Sequence, residues 1–272
     1  MTKNLDVEGF RSVFEKYELF FIDLWGVVHN GIELHKNAIH TLFKITEAKK
    51  KYILLTNAPR PNKNVKVFLE KLGLDKKMRE NVFTSGEAAL SYLKKKHIGQ
   101  KFFHIGPPRD RDLFSEIKKE KAKVIDKSDY LLCTGLYDQQ DQDLNYYKDL
   151  LRNFTHKKMV CTNPDLVVDR GKKREYCAGS VAMIFEKIGG EVIYFGKPYT
   201  EIYNQANNSN KKKIIAIGDN LRTDIKGANN MNYDSLIITN GIHNEEFEKQ
   251  GIESVLKNYN VKATFSQSIL KW

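Results

Sequence analysis

The chain has 272 residues, of which 41% are hydrophobic and 29% charged, and its formal net charge is +11. This composition is typical of a globular protein with one large or two modest domains. The apolar runs are too short to cross a membrane, so we expect no membrane partner. The lysines are spread in short runs instead of being clustered, so we expect no nucleic-acid partner.

Cysteine usage and the N-terminus both favour the cytoplasm. Cys133, Cys161 and Cys177 form no CxxC pair and are odd in number, which argues against a disulfide framework or a zinc site. Residues 1–6 lack the basic and then apolar layout of a signal peptide. We therefore predict a cytoplasmic protein with reduced thiols.

The first part of the chain alternates predicted helices and strands. Residues 6–17 have apolar positions at helical spacing, and residues 19–22 form an apolar run that ends at Asp23. A helix over 38–49 precedes a second apolar run that ends at Thr56-Asn57, and a further helix closes at Gly73. This β-α-β-α order predicts an α/β fold with a parallel sheet.

The same rhythm continues to the end of the chain. Predicted strands over 101–106, 130–135 and 159–163 alternate with helices and either extend the first sheet or form a second one. A later strand ends in Gly196-Lys197-Pro198, and the apolar run 214–218 ends, like the first, on an aspartate, Asp219. Asp224 follows five positions later.

Polar side chains follow several of these predicted strands. In a parallel sheet the carboxyl ends of the strands meet at one edge, where ligands bind. Asp23, Asp219 and Asp224 would repel one another there unless a cation lay among them, and Mg²⁺ prefers such oxygen ligands together with a substrate phosphate. A carboxylate can also attack phosphorus to form an aspartyl-phosphate. A hydroxyl, an amide and the Lys197 ammonium would stabilise the transferring group.

The order of these motifs resembles the haloacid dehalogenase superfamily. The residues are Asp23-x-x-Gly26, Thr56-Asn57, Gly196-Lys197-Pro198 and Gly218-Asp219 with Asp224. Further details, among them the segment Thr162-Asn163-Pro164-Asp165, are similar to the subclass IIA phosphatases. The resemblance implies a Rossmann-like core with an inserted α/β cap domain. We accordingly expect a core over 1–86 and 187–272 and a cap over 87–186.

The resemblance also implies a role for each matching residue. Asp23 would be the nucleophile and a Mg²⁺ ligand, and Lys197 would neutralise Asp23 and the phosphate. The implied binding residues are Thr56 and Asn57 for the phosphoryl group, Asn163 and Asp165 in the cap loop that faces the site, and Asp219, Asp224 and the Trp25 carbonyl for the metal. The implied substrate is a small phosphorylated metabolite, and a homodimer is left open.

One position departs from the family pattern. Phosphatases of the superfamily carry a second aspartate two residues after the nucleophile, which protonates the leaving group, and Trp25 stands there instead. Trp has no acid-base capacity, and general acid-base help is worth roughly 10²–10⁴-fold in rate. Turnover of unactivated esters is therefore expected to be weak unless another group, such as His29, carries the proton.

Three functions remain open on the sequence. The first is a Mg²⁺-dependent hydrolase of a phosphorylated metabolite. The second is a protein that binds a metal or a phosphorylated ligand with little catalysis, which the missing aspartate would explain. The third is a carbon-halide hydrolase, since such members have an aromatic residue at this position. They do not need the acidic pair Asp219 and Asp224, so we rank this function lower.

Overall fold

The computed structural model describes residues 1–95, 98–171, 173–207 and 213–272, and it shows an α/β protein with two parallel sheets and one antiparallel hairpin. This confirms the predicted fold class. The strands are β1 (Lys3–Asn4), β2 (Leu19–Ile22), β3 (Lys51–Thr56), β4 (Val82–Thr84), β5 (Lys101–Ile105), β6 (Glu120–Lys121), β7 (Tyr130–Cys133), β8 (Lys158–Cys161), β9 (Val167–Arg170), β10 (Lys173–Tyr176), β11 (Glu191–Tyr194), β12 (Ile214–Gly218), β13 (Asp234–Ile238) and β14 (Phe265–Gln267).

The large sheet has the strand order β1-β14-β13-β12-β2-β3-β4, and all its pairs are parallel. The strands β2 and β12 are buried along their whole length, which explains their uniformly apolar sequences. These two strands are neighbours, and Ile22 pairs with Ile217. The residues that follow them therefore leave the sheet side by side.

Helices pack on both faces of the sheets. They are α1 (Arg11–Phe14), α2 (Lys36–Glu47), α3 (Asn62–Lys71), α4 (Lys76–Arg79), α5 (Ser85–Lys95), α6 (Arg111–Phe114), α7 (Leu144–Leu151), α8 (Ala178–Lys187), α9 (Thr200–Ala206), α10 (Lys226–Asn230), α11 (Asn244–Gln250) and α12 (Ile252–Asn258). A turn of π-helix, Leu221–Ile225, precedes α10. In the described ranges no helix combines the length and the apolar character that crossing a bilayer requires.

The second sheet has the order β11-β8-β7-β5-β6, and the hairpin β9-β10 extends from the same part of the chain. The strand β11 pairs with β8, although it falls within the segment 187–272 that the sequence analysis assigns to the core. We propose a core domain and an inserted cap domain, as the resemblance implies, with the end of the cap moved from residue 186 to the end of β11.

The two sheets share a buried cluster of side chains. Phe21 and Leu55 of the large sheet belong to the same cluster as Phe102, Tyr130 and Val160 of the second sheet. Burial of apolar surface stabilises this arrangement by about 25 cal/mol of free energy for each Å² removed from water. The two sheets are therefore held together by packing as well as by the chain connections.

Two terminal segments differ from the expected pattern. The helix predicted over residues 6–17 is limited to Arg11–Phe14, and Val7 is 96% exposed. Gly9 has a φ of +75° and its backbone lies against the Trp272 carbonyl, so the chain cannot be helical there. Near the end of the chain, Phe265–Gln267 form β14, a strand that the polar sequence of the tail does not predict.

A short segment after β2, residues 25–35, forms a flap beside the sheet edge. His29 lies in this flap and is 2% exposed. Its Nδ1 accepts a hydrogen bond of 3.0 Å from the Gly31 N–H, and its ring contacts Phe68 with 5.5 Å between centroids. Burial lowers the pKa of His29 from 6.5 to about 4, so the ring is neutral near pH 7. His29 therefore stabilises the flap.

The burial of neutral His29 predicts a loss of stability in acid. Because its pKa is lower in the folded chain than in the unfolded chain, its contribution is present above pH 6.5 and is lost as the pH falls towards 4. Between pH 7.5 and 4.5 this amounts to roughly 2–3 kcal/mol. His29→Asn, which keeps an acceptor for Gly31, should flatten the profile by that amount in urea unfolding measured across this range.

The exposed His156 provides the matched control. His156→Gln should leave the dependence of the unfolding free energy on pH as it is in the wild type. If the unfolding free energy of His29→Asn falls between pH 7.5 and 4.5 as steeply as that of the wild type, His29 is not the group that causes the loss of stability in acid.

Candidate functional site

The ends of β2 and β12 bring two aspartates to one point. Asp23 directly follows β2, and its N–H donates a hydrogen bond of 2.8 Å to the Ile217 carbonyl in β12. Asp219 directly follows β12. Because both strands run parallel and are neighbours, their carboxyl ends place the two side chains at the same edge of the sheet.

A third carboxylate joins them from the π-turn. Asp224 is held by the Asn220 N–H, which donates to its Oδ2 at 3.2 Å. Carboxylate oxygens of Asp23, Asp219 and Asp224 all lie within 4.8 Å of one another, and all three residues are buried. Carboxylates taken out of water at such distances require a compensating positive charge.

Part of that charge comes from Lys197, which is 3% exposed. Its Nζ donates to Asp23 Oδ1 at 2.5 Å and to Asp224 Oδ1 at 2.6 Å. A third hydrogen bond of 3.0 Å goes to the Leu55 carbonyl, so all three donors of the ammonium are used. Burial alone would lower the pKa of Lys197, but Asp224 and Asp23 raise it above its ordinary value.

One ammonium does not balance three carboxylates. Burial raises the pKa of Asp23 well above its usual range, and Asp224 and Asp219 raise it further against the opposing effect of Lys197. Burial and Asp224 also raise the pKa of Asp219 to about 7. A bound divalent cation would reverse these shifts because it favours the charged carboxylates. The cluster therefore has the charge and the oxygen donors of a Mg²⁺ site.

Glycines allow the backbone to approach these carboxylates. A Cβ at Gly26 would lie 2.2 Å from Asp219 Oδ2, and one at Gly241 would lie 2.2 Å from Asp219 Cβ. A Cβ at Gly218 would lie 2.1 Å from Asp224 Cγ. Side chains at these positions would displace the aspartates, so the glycines shape the cluster as directly as the carboxylates do.

Thr56 and Asn57 lie at the end of β3, beside the carboxylates. The Thr56 hydroxyl accepts a hydrogen bond of 3.3 Å from the Ala58 N–H. Asn57 fixes the loop that carries Lys197, since its amide oxygen accepts from the Lys197 N–H at 2.7 Å and its amide donates to the Lys197 carbonyl at 3.0 Å. Asn57 therefore positions the backbone of Lys197.

The cap loop sends Asp165 into the same region. The Asn57 amide donates a hydrogen bond of 3.1 Å to Asp165 Oδ1, which links the large sheet to the cap. Burial raises the pKa of Asp165 to about 6 against the opposing effect of Lys197. Asn163 has a different position: its Oδ1 accepts from the Asp165 N–H at 3.0 Å, so it shapes the loop and does not line the cavity.

Together these residues enclose a cavity of about 240 Å³. It is lined by Asp23, Trp25, Gly26, Asn30, His35, Thr56, Asn57, Asp165, Val167, Val168, Asp169, Gly171, Lys197, Asp219, Asn220, Thr223, Asp224, Asn240, Gly241 and Ile242. His29, considered above as a proton carrier, is not among them.

Sequence reasoning did not identify the contribution of the hairpin β9-β10 or of His35. The strands of the hairpin have four residues each and are mostly charged, which hides them among loop residues. The available signal was the turn glycine, Gly171, between two segments with β-branched or aromatic residues. The hairpin covers the cavity from the side of the cap.

Comparison with known proteins gives consistent matches. A family model of haloacid dehalogenase-like hydrolases matches residues 20–119, and a HAD-hydrolase-like model matches residues 194–261, so the two cover more than half of the chain. Phosphoglycolate phosphatase 2 of Arabidopsis thaliana is 26% identical over 89% of both chains. Ribonucleotide monophosphatase NagD of Escherichia coli strain K12 is 24% identical over 78% of this chain and 86% of its own.

A solved structure agrees over nearly the whole length. A haloacid dehalogenase-like hydrolase from Brucella suis 1330 superposes with a TM-score of 0.84 at 29% identity, covering 96% of this chain and 98% of that one. The motif order, the fold and these matches together show that the chain belongs to the haloacid dehalogenase-like hydrolases, as a phosphatase-like member of subclass IIA.

Proposed function

We propose that this protein is a Mg²⁺-dependent phosphatase that hydrolyses the monoester of a small phosphorylated metabolite, with Asp23 as the nucleophile. The observation that carries the proposal is the cluster of three buried carboxylates, within 4.8 Å of one another, beside the ammonium of Lys197. The relatives named phosphoglycolate phosphatase and ribonucleotide monophosphatase support this class of substrate.

The metal would be held by Asp23, Asp219, Asp224 and the Trp25 carbonyl. When bound, Mg²⁺ neutralises negative charge on the phosphoryl oxygens and on the carboxylates. The donor set fits, since it consists of oxygen atoms and carries more negative charge than Lys197 balances. The backbone at Gly26, next to Trp25, is already in contact with Asp219.

The chain's own residues would carry out two displacements. A carboxylate oxygen of Asp23 forms a bond to phosphorus, the ester P–O bond breaks, and the leaving alcohol takes up a proton. A water molecule then attacks the aspartyl-phosphate, which releases orthophosphate and restores Asp23. Lys197 would place its positive charge beside the transferring group, and the Thr56 hydroxyl and the Asn57 backbone N–H would donate hydrogen bonds to its oxygens, where the charge is greatest.

Protonation of the leaving group is the weak step. The Trp25 indole is occupied by a hydrogen bond to the Asp169 carbonyl and carries no transferable proton. Two further titratable side chains line the cavity besides the carboxylate cluster, Asp169 and Lys197. They are His35 and Asp165, whose pKa is about 6. Neither lies at the position from which the family's second aspartate acts.

The second candidate is a protein that binds a phosphorylated ligand or a metal with little turnover. The observation that favours it is the same replacement at Trp25, because every other motif is intact. The carbon-halide hydrolase has no such support, since that chemistry makes no use of the Asp219 and Asp224 pair.

The three cysteines are free and buried, which agrees with our proposal of a cytoplasmic location.

Removal of the nucleophile or the metal tests the proposal. Purified protein should release orthophosphate from p-nitrophenyl phosphate with Mg²⁺ and lose this activity in EDTA. Asp23→Asn should lower kcat by roughly 10³-fold or more, because the amide cannot form the covalent intermediate. Asp126→Asn, at an exposed aspartate of the cap, should retain wild-type kcat.

Activity that persists in EDTA or in Asp23→Asn would contradict the mechanism. If no ester is hydrolysed and calorimetric titration still detects Mg²⁺ binding, the binding protein becomes the leading function.

The missing acid predicts a strong dependence on the leaving group. Because p-nitrophenolate leaves without a proton, p-nitrophenyl phosphate should be hydrolysed roughly 10²–10⁴-fold faster than an alkyl ester such as glycerol phosphate. Trp25→Asp should reduce this ratio of kcat values, since it supplies an acid at the position where relatives carry one.

Trp25→Asn is the matched control, because its side chain has the same size as aspartate and no acid. It should leave the ratio high. Equal rates of wild-type protein on the aryl and alkyl esters would show that another group, with Asp165 and His35 as the candidates, supplies the proton.

A further inference from the structure

The Trp25 side chain makes its main contacts with the cap. Its indole N–H donates a hydrogen bond of 2.6 Å to the Asp169 carbonyl in the hairpin β9-β10. The guanidinium of the next residue, Arg170, lies over the indole, 5.0 Å from the ring centroid. A cation over an indole face is the strongest of the common cation–π pairs. One side chain of the flap therefore holds two consecutive residues of the hairpin.

The flap fixes the indole in this orientation. A Cβ at Gly31 would lie 2.6 Å from Trp25 Cζ2, so the ring rests directly on the backbone of the flap. His29 packs edge-on against the same ring, with 5.1 Å between centroids. Because the flap holds the ring in place, the contacts of the ring with Asp169 and Arg170 restrain the hairpin.

A second contact joins the hairpin to the loop that carries Ile242. The Asp169 carboxylate accepts two hydrogen bonds of 2.8 Å from Arg174, whose Nη2 also donates to the Ile242 carbonyl at 3.4 Å. The Ile242 N–H in turn donates to Asp219 Oδ2 at 3.0 Å. The hairpin therefore spans the site, from the flap to the loop that holds a carboxylate of the cluster.

The hairpin forms a roof that limits the room for a leaving group. Val167, Val168 and Asp169 line the cavity, whose volume of about 240 Å³ is below the roughly 300–1,000 Å³ of pockets for drug-sized ligands. Within the described part of the lining, Lys197 is the one lysine or arginine, and it is already paired with Asp23 and Asp224. A second anionic group on the substrate would meet no unpaired lysine or arginine there.

We propose that Trp25 is a specificity-determining positioning residue: it fastens the hairpin β9-β10 over the cavity and so restricts the substrate to the phosphate ester of a small, uncharged alcohol or phenol. This inference rests on the function proposed above and names its substrate class. The side chain at the position of the family's acid thus selects the leaving group by size and charge. Nucleoside monophosphates and esters with a carboxylate on the leaving group are excluded.

The first test measures selectivity. The ratio of kcat/KM for adenosine 5′-monophosphate to that for glycerol phosphate compares a bulky and a small ester of similar primary alcohols. Arg170→Ala, which removes the cation from the indole face, should raise this ratio about fivefold. Trp25→Leu should raise it further, and Trp25→Phe, which keeps a ring for Arg170 but loses the N–H, should lie between wild type and Trp25→Leu. Phosphoglycolate should remain a poor substrate in all of them.

The control is Arg152→Ala, which removes an arginine directly after helix α7 in the cap that is paired with Asp149 and takes part in none of the hairpin contacts named here. It should leave the ratio at its wild-type value. An Arg170→Ala ratio within twofold of wild type, or efficient hydrolysis of adenosine 5′-monophosphate by wild-type protein, would overturn the proposal.

The second test reports on the roof without catalysis. Trp25 and Trp272 are the two tryptophans of the chain, so Trp272→Phe leaves Trp25 as the one indole fluorophore. In that background Arg170→Ala should increase quenching of Trp25 by acrylamide, and Arg152→Ala should not. Unchanged quenching in Arg170→Ala would overturn the assignment of Trp25 as the fastening residue.

Binding separates this inference from the proposed function. Calorimetric titration of Asp23→Asn should detect glycerol phosphate and not adenosine 5′-monophosphate, and Arg170→Ala in that background should bring their affinities closer. If this difference in binding is found but the wild-type protein hydrolyses no ester, the proposed phosphatase function is refuted and the proposed role of the hairpin is supported. Equal affinity for both esters in Asp23→Asn would refute the roof whatever the activity.

Discussion

The ammonium of Lys197, buried between Asp23 and Asp224, is the interaction on which the site depends. Each of these ions would be costly to bury alone, and the pairs at 2.5 and 2.6 Å make the burial possible. Three ionised carboxylates and one ammonium still leave a formal charge of −2 in a buried site. A divalent cation would balance that charge, so metal binding would be linked to the stability of the loops around the site.

The sequence predicts much of this arrangement because strand ends are visible as apolar runs that stop at an aspartate. The parallel-sheet argument brings Asp23 and Asp219 to one edge of the sheet, but it does not show that β2 and β12 are neighbours, because these strands lie far apart in the sequence. Lys197 was expected at the end of a core strand, yet the strand before it, β11, belongs to the second sheet. Its side chain reaches the carboxylates because Asn57 holds the loop that follows β11.

Other features depend on tertiary contacts that no local pattern encodes. The amide oxygen of Asn163 accepts a hydrogen bond from the Asp165 N–H and so shapes the loop, a contact that the sequence does not show, while its contact with substrate stays a prediction. The hairpin β9-β10 is short, charged and stabilised by contacts with the flap, so neither alternation nor hydrophobicity predicts it. The helix expected over residues 6–17 is interrupted because Gly9 packs against the C-terminal residue, Trp272.

The exchange of an acid for an indole at position 25 has an electrostatic consequence as well as a steric one. An aspartate there would add a further negative charge beside a cluster whose three carboxylates, when ionised, already carry two more charges than the Lys197 ammonium balances. This added charge would raise the free-energy cost of ionising Asp23. Trp25 removes that repulsion and uses the same position to hold the cap by its N–H and its ring face. The nucleophile is then easier to ionise while the leaving group is harder to protonate. A site with this balance favours esters whose alcohols leave readily and fit beneath the hairpin, so chemical reactivity and size select the substrate together.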